Sequence, residues 1–276
     1  MRFSMRALRI AGRAALLAGA GLAAAASAHA GRLPGSTLHV FAATSLGEAF
    51  SDLAAAFEKA HPGTSVELNL AGSQQLAAQI QQGAPADVFA ADHRRWIDYA
   101  RAQGLLAGEP QLFARNVLVV VTPRMNPGNV YHFQDLGRRG VRVAIGAEDS
   151  PVGAYSRWML ANLTGQPGFG GDYEDRVLAN VVWLEENAKS VLARVSEAQA
   201  DAGIVYRSDV TPAQERFVRT VEVPEAGNVI AEYRIAAVSK APQAWLARAF
   251  VQMVLSPAGQ AALERHRLIR GVNPVP

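Results

Sequence analysis

Hydroxyls and free backbone N–H groups at four strand-to-helix joints are the groups in this chain best suited to chemistry, and the chemistry they suit is the holding of an oxyanion. Thr44 and Ser45 stand between an extended apolar run at 38–41 and a helical stripe of Leu46, Ala49, Phe50, Leu53, Ala54 and Phe57. Ser73 stands in the same relation to a strand at 65–70 and a helix carrying Leu76, Ala77 and Ile80. Pro151 opens a helix where proline is tolerated, leaving the N–H of Val152 free at the tip, and Ala188 lies in the first turn of another helix. Each helix N-terminus carries roughly +0.5 of charge, so four that converged would match a dianion without Lys or Arg. None of the four positions is charged, whereas a hydrated cation would call for carboxylates. A structural reading stands beside this one: Ser ahead of an apolar helix is a common cap, and every α/β fold has such joints. Tyr206, ending an apolar strand, is a fifth candidate; tyrosine there is commonly half-buried core, yet its hydroxyl could donate to a bound oxygen.

Catalytic patterns are weak by comparison. The histidines at 29, 39, 61, 93, 132 and 266 are scattered, with no H-E-x-x-H spacing, and no G-x-S-x-G occurs. Asp92-His93 comes nearest to an acid and base pair, but Asp92 is expected to cap a surface helix carrying Trp96, Ile97 and Ala100. The chain has no cysteine, which excludes a catalytic thiol, a Cys-based metal site, disulfides and a lipid-bearing cysteine.

The elements that must position these groups alternate. Strands are expected at 38–41, 65–70, 85–90, 116–121, 141–145, 177–184, 201–206, 217–223 and 232–238, with helices between most of them and two more at 243–255 and 257–268. The continuous apolar run at 116–121 reads as a buried strand of the parallel kind. Strand-helix alternation argues for α/β architecture, here in two lobes joined by two crossings, one holding 31–116 and 234–276 and the other 117–233. Ligands in such folds bind outside the carboxyl ends of the strands.

Residues 1–30 read as a cleavable secretory signal: Arg2, Arg6, Arg9 and Arg13, an apolar run at 14–26, and an A-x-A site at Ala28-His29-Ala30. The full chain has 27 Lys and Arg against 24 Asp and Glu. The leader holds four of the Arg and no acid, leaving 23 against 24 and no basic block suited to nucleic acid. The expectation is a soluble monomer in a bacterial periplasm.

The motifs VFAATSLGEAF at 40–50, AGSQQLAAQIQQGAPADVFA at 71–90, SPVGAY at 150–155, ENAKSVLARV at 186–195 and ADAGIVYRSD at 200–209 resemble, in order, those of the periplasmic molybdate-binding proteins of ABC transporters. That resemblance implies a two-lobed periplasmic binding fold of type II with the ligand in the cleft between doubly wound lobes. It implies that the oxyanion is held by Ser45, Ser73, Val152, Ala188 and Tyr206, with Thr44 as a further contact, through about seven neutral hydrogen bonds. Molybdenum would enter only as its oxyanion, molybdate or tungstate, with no cofactor and no bond made or broken, and the closed form would be delivered to an inner-membrane permease. Two positions depart from the family pattern: Ala188-Lys189 stands where Val-Arg is frequent, and Gly72 precedes Ser73 where a second Ser is frequent. Sulfate is the runner-up ligand, and a secreted enzyme of unknown reaction is the alternative from another class. Phosphate is expected to be rejected because a site of donors offers its proton no acceptor.

Overall fold

A computed structural model describes residues 35–271, so the expected leader and cleavage site lie outside the described residues. In chain order β1 (Ser36–Ala43) leads through a 3-10 turn at Thr44–Leu46 into α1 (Gly47–Ala60), β2 (Thr64–Ala71) into α2 (Ser73–Gln81), and β3 (Val88–Ala91) into α3 (Arg94–Ala102). β4 (Gln111–Pro123), β5 (Val143–Gly146), α4 (Pro151–Leu163), α5 (Tyr173–Ala179), β6 (Val181–Glu185), α6 (Ala188–Ser196), β7 (Ala202–Tyr206) and β8 (Val218–Glu222) follow. β9 (Ile230–Ala237), α7 (Ala244–Leu255), α8 (Pro257–Arg265) and β10 (Ile269–Arg270) complete the described residues.

β4 belongs to two sheets and connects them. Its residues 111–117 pair antiparallel with β9, which in turn pairs with β3 in the parallel set β2-β1-β3. Its residues 118–123 pair antiparallel with β7 and β8, and β7 continues into the parallel set β7-β5-β6. Two α/β lobes result, each with parallel strands whose carboxyl ends carry the joints singled out above, and each bounded by antiparallel partners. The run at 116–121 is therefore antiparallel to every strand it meets, contrary to the parallel reading. Leu118, Val119, Val120 and Val121 are fully buried, and an unbroken apolar run records burial of both faces rather than strand direction.

The strand expected at 177–184 starts later. Val177 is the buried inward residue of α5, Asn180 ends that helix, and β6 begins at Val181. Short apolar runs do not distinguish a helix face from a strand; the Asn180 amide settles the break by donating to the carbonyls of Leu136 and Arg138 at 2.8 Å each.

α1 shows what locks a joint in place. Phe50, Leu53 and Phe57 bury their side chains, with Phe50 packed edge-on to Phe113 at 5.8 Å between centroids and Phe57 to Phe250 at 5.3 Å. Burial of each aromatic contributes about 1.5–3 kcal/mol. The helix is thereby pinned to β4 and α7, and its N-terminus is held at the end of β1.

Candidate functional site

Ser45 sits in the 3-10 turn after β1, and it is not a cap: no side chain caps this turn or α1. Its hydroxyl, almost fully buried, pairs instead with the Tyr233 hydroxyl at 3.1 Å. Tyr233 accepts from the Asn116 amide at 3.2 Å, and that amide also donates to Ser208 Oγ at 2.8 Å. Either hydroxyl of the Ser45–Tyr233 pair can be the donor; where Tyr233 donates, the Ser45 hydrogen is left to point at a ligand. Thr44, half-buried beside it, opens the same turn.

Ser73 is the first residue of α2 and is fully buried. Its hydroxyl donates to Asp92 Oδ1 at 2.5 Å and accepts the Asp92 N–H at 3.1 Å. The expected cap role of Asp92 is thus wrong. His93 caps α3, its Nδ1 accepting from the Arg95 N–H at 2.9 Å, while Asp92 turns inward and is buried. A Cβ at Gly72 would lie 2.6 Å from the Gln74 side-chain oxygen, so a serine there would only require that flexible side chain to turn aside.

At α4 the cap is Ser150, which accepts from the Gly153 N–H at 3.1 Å, and at α6 it is Asn187, which accepts from the Ser190 N–H at 3.0 Å. Both caps leave the site residues alone: the N–H groups of Val152 and Ala188 have no acceptor among the described residues, and both residues are buried. Gly153 makes the first turn of α4 possible, since a Cβ there would meet the Ala147 carbonyl oxygen at 1.8 Å.

Tyr206 ends β7 in full burial rather than half-burial, between the rings of Tyr155 and Tyr233 at 6.3 and 5.8 Å. Its hydroxyl lies close enough to the Asp92 carboxyl to favour the ionised form of that group, yet it meets no partner in hydrogen-bond geometry among the described residues. A buried hydroxyl left unpaired costs about 1–3 kcal/mol, so this atom is poised for an oxygen that is not part of the protein.

Contacts from the two sheets meet here. Ser208 Oγ donates to the Ser45 carbonyl at 3.4 Å, the Gln74 and Gln75 amides reach Glu186 just ahead of α6, and the Trp96 indole donates to the Asp149 carbonyl at 3.2 Å. His93 lies against Tyr155 and Trp158 at 4.5 and 5.5 Å between ring centroids. Ser45 is linked to Tyr206 through Tyr233, and Ser73 is linked to it through Asp92. Val152 and Ala188 flank them, one at the start of the helix that carries Tyr155, the other beside Lys189, whose Nζ stands over Gly47.

Burial dominates the electrostatics. It pushes the Asp92 carboxyl up to about 6 against the pull of Ser73, the backbone and the nearby Tyr206 hydroxyl, and Asp209, beside Tyr206, up to about 7. Burial pushes His93 down to about 4 and holds the Tyr155, Tyr206 and Tyr233 phenols protonated. The site is consequently not made of donors alone, because the Asp92 carboxyl is bonded to the Ser73 hydroxyl. Among the described residues no cluster of three or more His, Cys, Asp or Glu could hold a metal ion, and no helix is long and apolar enough to cross a membrane.

Asn116, Ser208 and Tyr233 were not found by sequence reasoning, and Asp92 was named there only as a cap or as half of an acid and base pair. Only Asp92 carried a signal, its place immediately after the carboxyl end of a parallel strand; the other three arrive by pairing distant in sequence.

Two α/β lobes meet at a buried cluster of hydroxyls and helix tips, with Lys189 at its edge, and this arrangement suits a solute-binding protein. Residues 38–266 match the family of bacterial extracellular solute-binding proteins, and the chain belongs to that family. It is 38% identical over 241 residues to the molybdate-binding protein ModA of Mycobacterium tuberculosis, covering 87% of each chain. Its fold is similar to that of the periplasmic molybdate-binding protein of Azotobacter vinelandii, with a TM-score of 0.72 and 20% identity over 86% of this chain and 100% of that one. It is also similar to that of the sulfate-binding protein SubI of M. tuberculosis, with a TM-score of 0.76 and 19% identity over 87% and 88%.

Proposed function

We propose that the chain captures molybdate, and tungstate with it, between its lobes and delivers the closed form to an ABC permease, with no reaction catalysed. The observation that carries the reading is the Tyr206 hydroxyl, fully buried and unpaired, in a cluster with Ser45 and Ser73 where no Lys or Arg is bonded. The relative named for molybdate binding supports the choice of ligand. Ser45, Ser73 and Tyr206 donate from their hydroxyls, Val152 and Ala188 from their N–H groups, and Thr44 adds a contact at the turn. Protein and ion part again when the lobes open about the two chain crossings; the pairing of β9 from Ile230 favours drawing the second crossing just before that strand. The mature chain is exported by its leader and acts as a monomer.

Charge does not choose among dianions, because helix tips attract sulfate as well as molybdate. Size does: sulfate, the smaller ion, leaves donors on one lobe unpaired in a dry cleft at about 1–3 kcal/mol each. Two such misfits give discrimination of about a hundredfold or more. Calorimetric titration of the purified apo protein with molybdate, tungstate, sulfate and phosphate tests this. One tight site for the first two is expected; sulfate within about tenfold of molybdate would make this a sulfate-binding protein, and no tight site for any oxyanion would reopen the enzyme reading.

A further inference from the structure

Two serines of the site have different partners. Ser45 pairs with the neutral Tyr233 hydroxyl at 3.1 Å, a partner that can itself donate and leave the Ser45 hydrogen to give, whereas Ser73 commits its only hydrogen to Asp92 at 2.5 Å and accepts the Asp92 N–H at 3.1 Å. With Asp92 ionised, Ser73 has nothing left to offer an anion. An anion oxygen at Ser73 would also stand one hydroxyl away from a buried negative charge.

We propose that Asp92 is a positioning residue that decides whether Ser73 donates to the anion, and that capture of the dianion at neutral pH is accompanied by uptake of about one proton on the Asp92 carboxyl. This rests on the molybdate reading of the site. A proton from solvent binds the carboxylate, the resulting O–H donates to Ser73 Oγ in place of the present bond, and the Ser73 hydrogen turns to the ligand. Serine then accepts from the acid and from the Asp92 N–H and donates to the anion. The change removes the third negative charge from the pocket as the other two arrive.

The groups that face Asp92 fit this role. Ser73 from α2 and Tyr206 from β7 are nearest, Tyr155 from α4 and Tyr233 from β9 lie behind them, and both phenols stay neutral. Asp209, after β7, is a second buried acid that feels the Asp92 charge, with Lys189 of α6 offsetting it. His93 next in the chain is held neutral by burial and by Arg95. Burial already brings Asp92 to about 6, so the empty site is mostly ionised at pH 7.5 and a nearby dianion drives it to the acid form.

The test is calorimetry with molybdate at pH 7.5 in buffers of different ionisation enthalpy, together with affinity from pH 6 to 8.5, where molybdate remains a dianion. Uptake of about one proton per ion is expected, with affinity falling by up to about tenfold per pH unit above the carboxyl's range. Asp92→Asn, whose amide can donate to Ser73 as the acid would, should bind with no proton uptake and a flat profile, and Asp209→Asn should keep the wild-type slope. Molybdate binding by the wild type without proton uptake would overturn the proposal and leave the molybdate reading standing, and this measurement needs no variant to fold. Loss of uptake in Asp209→Asn alone would give the role to Asp209 and overturn it as well. Absence of molybdate binding at any pH would remove the functional reading and this one with it.

Discussion

The side-chain amide of Gln74, in the first turn of α2, donates to the main-chain carbonyl of Glu186 at 2.9 Å. Gln75 beside it donates to the Glu186 carboxylate at 2.6 Å. The helix that carries Ser73 is thereby tied to the segment that leads into Ala188, and in the proposed function these are bonds that opening of the lobes would break.

Replacing both, Gln74→Ala with Gln75→Ala, removes the two exposed bonds to Glu186, worth about 0.5–1.5 kcal/mol each in the closed state, along with the bond that Gln75 accepts from the Gly72 N–H at the start of α2. The expected result is a roughly fivefold to 150-fold weaker affinity for molybdate, expressed as faster release with an unchanged on-rate. Stopped-flow release kinetics at the wild-type value would remove this latch from the account.

Ser45→Ala and Ser73→Ala should each weaken molybdate by about tenfold to a hundredfold, the cost of losing one hydrogen bond to a charged ligand. Ser45→Asp should be worse, because it brings like charge to a dianion. Thermal unfolding of the apo forms separates this from misfolding. Wild-type affinity in all three would place the anion elsewhere.

Of the four tryptophans, Trp96 and Trp158 stand at the meeting of the two lobes: the Trp96 indole bonds to Asp149, and the Trp158 ring lies against His93. Trp245 is exposed beside His61 on α7, and Trp183 is stacked by Arg194 at 3.7 Å. Ligand-induced fluorescence change is therefore expected to survive Trp245→Phe and to fall sharply in a Trp96→Phe, Trp158→Phe double variant. An undiminished change in the double variant would contradict closure at this face.

Stability of the apo protein should depend on pH through the same buried groups. Asp209 and Asp92, raised to about 7 and about 6, bind protons in the folded chain that the unfolded chain has already released. Their contribution is complete below the ordinary carboxylate range and is lost as pH rises through 6 and 7. His93, lowered to about 4, acts in the opposite sense: its contribution is present at neutral pH and is lost as pH falls from 6.5 toward 4. Between pH 8 and pH 6 the acids outweigh the histidine by about 1 kcal/mol, or roughly 2–4 °C in Tm. Scanning calorimetry should find wild type more stable at pH 6 and Asp209→Asn without that gain. The same gain in both would exonerate Asp209.

The joints were legible because they are local. A strand pattern of period two that changes to a helical stripe at Ser45, or a proline placed one residue ahead of Val152, is written within a dozen residues. The α/β class and the two lobes follow from repetition of that unit. What escaped was set by distant pairing: the antiparallel partners of the run at 116–121, and the Asn116, Ser208 and Tyr233 side chains that those partners bring beside Ser45. Asp92 was misread for another reason. A carboxylate just before a helix is usually its cap, and only the fold reveals that His93 takes that place while Ser73 draws the acid inward.

Crystals grown with molybdate and measured at the molybdenum absorption edge bear on the central claim most directly. One anomalous peak is expected, within hydrogen-bond reach through its oxygens of the Ser45, Ser73 and Tyr206 hydroxyls and the N–H groups of Val152 and Ala188. A peak at any other place, or no peak in crystals of protein saturated with molybdate, would contradict it.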